Sequence, residues 1–375
     1  MMKDIHGGNI WEASKQSGTD PLDIMDFSAS INPFGPSKRA LSAIKENLKL
    51  IPPYPDPNSK ELIQALSEFY SVPPENILPG NGSTEFIYLL PQILKPRNAL
   101  IIEPAFSEYG RALKICGVKA EGLILDENKG FSLDIGRLNA RLKRGFDCLI
   151  LANPANPTGA VMERSVVLEI TKLSAKYGAR LILDEAFADF SPEDSILPDA
   201  AGLKNVIVLR SMTKFFSMAG LRLGFVVSHK NNIKTLRGSM PPWSINTLAS
   251  IAAAASLKDK RSTARILNWA AREREYMASS INSLGPLKAY PSAANYLMVR
   301  ILDKKINAAS LKERLFKKNI LIRDLSGFKG LGPCFFRIAL KKRAENDLLL
   351  DAISSIFAKN QSCTASNKKR TATLA

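Results

Sequence analysis

Between residues 77 and 228, short apolar runs alternate with stretches whose apolar positions recur at helical spacing. The runs 148–151, 180–183 and 206–209 have the length and apolar content of strands buried on both faces. Strand and helix in alternation predict an α/β fold, a mostly parallel sheet covered by helices. Upstream, residues 59–70 carry Leu62, Leu66 and Phe69 on one helical face, and 37–49 also reads as helix. Four prolines around Tyr54, within 51–57, demand an extended loop. Residues 245–284 look helical throughout. Two strands, 296–301 and 335–340, and two helices, 310–318 and 345–357, then form a small α+β domain. The expected division is a large domain over 41–265 and a small one over 266–358. Residues 1–40 belong with the small domain, and 359–375 form a disordered basic tail.

Composition narrows the class. At 375 residues, 45% hydrophobic and 23% charged, the chain reads as a globular protein of two domains. The most apolar helical stretch, 245–257, is interrupted by Asn246, Ser250 and Ser256 and is too short to span a bilayer. No apolar leader run opens the sequence. Cys116, Cys148, Cys334 and Cys363 lack metal or disulfide spacing, so a reducing cytoplasm is expected. With His6 and His229 as the only histidines, no histidine-built metal site is expected. The net charge of +17 comes without zinc-finger spacing, an RNA-binding aromatic signature or basic heptads. It reads as a basic solvated surface that attracts anionic small molecules rather than nucleic acid.

Chemistry is concentrated just past the apolar runs, where α/β proteins bind ligands. Lys214 follows the run 206–209 among hydroxyls and aromatics. A partly desolvated lysine becomes available as an amine nucleophile. Ser211, Thr213 and Arg222 supply hydroxyls and a guanidinium fork suited to a phosphate. A glycine-rich run, with Gly82, Ser83 and Thr84, opens a helix whose free amides favour an anion. A lone lysine would be an ordinary surface residue. Here, however, Asn156 follows the run 148–151 and Asp184 closes the run 180–183, so three polar clusters stand in order.

These clusters resemble the fold-type I pyridoxal-phosphate enzymes, the aminotransferase class I/II family, and the likeness extends from His6 to about Phe357. The resemblance implies pyridoxal 5'-phosphate as cofactor, Lys214 as its amine partner and Asp184 as the carboxylate stabilising the protonated ring. It implies Asn156 beside the ring's phenolic oxygen, Phe106 stacked on its face, and Gly82, Ser83 and Thr84 at its phosphate. Tyr54 resembles the tyrosine that reaches a phosphate across a dimer interface, which implies a homodimer. Phe187 stands where many relatives carry tyrosine. Within the family, His6-Gly7-Gly8-Asn9 and the segment 27–33 resemble the threonine-phosphate decarboxylases, which make aminopropanol phosphate for cobalamin. Histidinol-phosphate aminotransferases are close relatives and the alternative, beside a serine-phosphate decarboxylase. The resemblance assigns substrate binding to His6, Gly7, Ser30, Asn156, Arg323 and Arg337. Ser30 departs from the asparagine usual in the decarboxylases.

Overall fold

The computed structural model describes residues 7–372, with side chains through 358. The central sheet has seven strands: β1 (Ile77–Gly80), β2 (Asn98–Glu103), β3 (Lys119–Ile124), β4 (Cys148–Ala152), β5 (Arg180–Asp184), β6 (Val206–Ser211) and β7 (Gly224–Ser228). Their spatial order is β1-β7-β6-β5-β4-β2-β3. Every neighbouring pair is parallel except those made by β7, which runs antiparallel to β1 and β6. Alternate residues face two cores: Leu149, Leu181 and Val208 lie in one, Ile150, Ile182 and Leu209 in the other. Burial on both faces explains why these strands read as continuous apolar runs.

Two helices follow strand ends closely. Ser83–Leu94 (α1) starts three residues after β1, and Ser107–Ile115 (α2) starts soon after β2. The predicted helix 245–284 is two helices, Thr247–Leu257 and Lys260–Ser283. Asp259 separates them and caps the second, accepting from the Ser262 amide at 3.0 Å.

The C-terminal part carries a four-stranded antiparallel sheet of β8 (Leu287–Ala289), β9 (Tyr296–Ile301), β10 (Arg323–Asp324) and β11 (Phe335–Ala339), in the order β10-β11-β9-β8. Met25–Asp26 pairs in parallel with Ile320–Leu321, so the N-terminal segment is stitched to this part of the molecule. The last helix runs from Arg343 to Ala372. No glycine or proline interrupts 343–372, so nothing in the sequence stops the helix. Among the described residues, no helix is long and apolar enough to cross a membrane.

Candidate active site

The parallel strands β2, β4, β5 and β6 end at one edge of the sheet, and their carboxyl ends border a cavity of about 420 Å³. Crevices at that edge are where open α/β sheets bind ligands. Asp184 is the last residue of β5, and Lys214 stands three residues beyond β6. Both line the cavity, as do Phe106 after β2 and Asn156 after β4.

Asp184 is buried at 6% exposure. One carboxylate oxygen accepts from the Ala186 amide at 2.9 Å, the other from the Tyr109 hydroxyl at 2.5 Å. Burial raises the carboxyl's pKa, while Tyr109, the positive Lys214 and the Ala186 amide oppose the rise. The Lys214 Nζ donates to Ser211 Oγ at 3.1 Å and stands 5.7 Å from the centre of the Phe187 ring. Desolvation brings its ammonium down to about 8, with Arg222 and Arg337 adding repulsion and Asp184 resisting.

The opposite wall comes from the N-terminal segment and the small sheet, through Gly7, Ser30, Arg323 and Arg337. Arg337, on β11, is buried, and burial lowers its pKa to about 10. Its two Nη groups donate to neutral partners, Asn156 Oδ1 at 2.5 Å and the Ser28 carbonyl at 3.0 Å. Among the described residues, its Nε and the Ser30 hydroxyl are buried without a hydrogen-bond partner. Arg323 lies 5.8 Å over the Phe328 ring. Gly7 packs tightly here: a Cβ would come 2.3 Å from the Ser28 carbonyl oxygen.

A helix start adjoins the lysine. Ser83 and Thr84, in the first turn of α1, line the cavity with Thr213 and Arg222. Gly82 precedes the helix at φ 80° and offers no side-chain cap, and a Cβ there would sit 3.0 Å from Arg222 Nη2. Arg222 itself adopts a left-handed φ of 59°. Glycine is therefore what lets this guanidinium lie against the helix start. At Gly224 a Cβ would meet the Ser83 nitrogen at 2.3 Å, so the same helix start is seated on β7.

The cavity thus gathers most of the residues singled out in the sequence. Ser211 stands just behind it, bonded to Thr213 at 2.7 Å and to Lys214. Tyr54 is not brought into this chain's cavity; it is 79% exposed and stacks on Trp243 at 4.7 Å. His6 lies outside the described residues. Tyr109, Ser28 and Phe328 were missed. Tyr109 could have been flagged by its place three residues after Phe106 at the start of the same helix, whereas the Ser28 contact runs through a backbone carbonyl, which no side-chain pattern reveals.

Residues 22–353 match the family described as aminotransferase class I and II. The chain belongs to that family. It is 38% identical over 359 residues to the threonine-phosphate decarboxylase of Salmonella typhimurium strain LT2, covering 95% of this chain and 98% of that one. Among solved structures, the histidinol-phosphate aminotransferase of Clostridium acetobutylicum superposes with TM-score 0.83 at 30% identity, over 89% of this chain and 99% of its own. The L-threonine-O-3-phosphate decarboxylase of Porphyromonas gingivalis gives 0.79 at 27%, over 89% and 100%. The fold is therefore that of the fold-type I transferases, and the chain is an enzyme that uses pyridoxal phosphate. The residues at hand fit that group: a buried carboxylate, a neighbouring amine of lowered basicity, and a glycine-cleared helix start with an arginine against it.

Proposed function

We propose that the chain is a cytoplasmic lyase that removes carbon dioxide from L-threonine O-3-phosphate, giving the aminopropanol phosphate used in the nucleotide loop of cobalamin. The observation that carries this reading is Arg337: a buried guanidinium on the cavity wall, bonded to neutral groups and with Nε unpartnered. A buried cation of this kind favours an anionic substrate group, and Arg323 adds a second guanidinium to the same wall. The 38% identity to a threonine-phosphate decarboxylase favours the lyase over the aminotransferase.

The cofactor's phosphate would be held by Ser83, Thr84, Thr213 and Arg222 with the α1 amides, supported by Gly82 and Ser211. Phe106 would cover the ring face, and Asp184 would keep the ring nitrogen protonated. Asn156, its oxygen committed to Arg337, presents its amide NH₂ as a donor. Bound there, pyridoxal phosphate supplies an electron sink for the pair released at the substrate α-carbon. Arg323 and Arg337, with His6, Gly7 and Ser30, would hold the substrate phosphate and leave the carboxylate unclamped. The bond from the α-carbon to the carboxylate breaks, carbon dioxide leaves, and a proton from Lys214 Nζ takes its place. A pKa near 8 suits that transfer, because both protonation states are accessible close to neutrality.

We extend the reading to a homodimer in which exposed Tyr54 completes the partner's phosphate site; sedimentation at the mass of one chain would remove this part. For the reaction, the expected result is carbon dioxide from phosphothreonine without any keto acid, and little glutamate from histidinol phosphate with oxoglutarate. Sustained glutamate formation, with no carbon dioxide from phosphothreonine or phosphoserine, would replace the lyase by the aminotransferase.

A further inference from the structure

Tyr109 sits in the first turn of α2, three residues past Phe106, and is 2% exposed. Its ring packs edge-on against Phe106 at 5.8 Å between centroids. That packing alone would be satisfied by phenylalanine. The hydroxyl is what needs explanation, because a buried O–H without a partner is destabilising. Its partner is Asp184 Oδ2, 75 positions away in sequence, at 2.5 Å. Since Ala186 holds Oδ1 from the other side, both oxygens of Asp184 are engaged and the carboxyl plane is fixed.

We propose that Tyr109 is a positioning residue for Asp184, fixing the carboxylate's orientation and keeping it ionised against its own burial. The inference rests on the functional reading above, in which Asp184 serves the cofactor ring. Among the groups opposing the desolvation of Asp184, the Tyr109 hydrogen bond is the largest, ahead of Lys214 and the Ala186 amide. Tyr109 cannot compete for the negative charge. Burial raises its phenol well above the ordinary value, and Asp184, Tyr296 on β9 and Glu103 on β2 push the same way. It therefore remains a donor at any working pH. In the chain without cofactor, the charged Lys214 that faces Asp184 is neutralised as pH rises through about 8. On the acid side, then, the hydroxyl and the ammonium act together; on the alkaline side the hydroxyl acts without that charge.

The test is Tyr109→Phe, which keeps the ring, studied in the cofactor-loaded enzyme. Loss of one hydrogen bond to a charged group predicts a fall in kcat of about ten- to a hundredfold, with KM little changed. Without the donor, Asp184 is protonated at higher pH. The acid limb of the kcat profile should therefore move up by about one unit. In equilibrium dialysis, the pH at which pyridoxal phosphate is released should move up with it. In an Asp184→Asn background, Tyr109→Phe should add less than about twofold, because the charge it serves is gone. Unmoved acid limbs in both measurements, or effects that multiply in the double variant, would overturn the inference. A wild-type chain that takes up no pyridoxal phosphate would instead overturn the functional reading itself.

Discussion

Arg210 and Lys214 stand four residues apart at the end of one strand, and their surroundings drive them in opposite directions. Arg210 is buried between two carboxylates, bonding Glu185 at 3.0 Å and also Asp189, while its guanidinium lies 4.9 Å over the Tyr70 ring. Asp189 raises its pKa most, followed by Tyr70 and Glu185, more than offsetting burial. Lys214 faces one opposing carboxylate and two like charges, and desolvation prevails. The same contrast divides their neighbours. Asp184 turns to the cavity, while Glu185 turns away from it and is held by Ser195, Ile196 and Arg210. The charge of Arg210 is compensated by its neighbours, while desolvation outweighs the carboxylate that faces Lys214.

The largest effect is expected at Lys214: if it is the proposed nucleophile and proton carrier, Lys214→Met should lower turnover by about ten thousandfold or more. Residual steady-state activity within tenfold of wild type would place the chemistry elsewhere. Next, Arg210→Ala strands two buried carboxylates and should cost about 3–5 kcal/mol in chemical denaturation. A loss below about 1 kcal/mol would mean that the network is not needed to keep them buried.

The smallest effect concerns pH. Lys214 titrates near 8 in the folded chain against an ordinary 10.5, so between those values the unfolded chain binds more protons and stability rises with pH. Without cofactor, Lys214→Met should therefore be more stable than wild type below pH 8. The gap should close as pH rises toward 10.5. A gap independent of pH would show that Lys214 is not desolvated.

The strand-end residues were legible because each chemical group follows its own apolar run within a few positions, so local order carried the information. Contacts between distant segments were not. Tyr109 and Asp184 are 75 residues apart, Arg337 and Asn156 are 181 apart, and neither pairing leaves a periodic trace. The antiparallel course of β7 was also unread; the connection 212–223 holds only the short helical turn Ala219–Leu221. Tyr54 is a different case, because the role its motif implies lies on a second chain. Its motif points to a site, yet in one chain its ring lies on Trp243 at the surface.

The pairing of Met25–Asp26 with Ile320–Leu321 fixes an order of events during synthesis. Once β7 has left the ribosome, every strand of the seven-stranded sheet is available, together with Asp184, Lys214 and Arg222. Arg337 lies more than a hundred residues further on, and at about 5–20 residues per second it emerges many seconds later. Until then the N-terminal segment has no strand to join, and Ser28 has no guanidinium on its carbonyl. On the nascent chain, this chain's share of the wall that would hold the cofactor phosphate can form before the wall that would select the substrate exists.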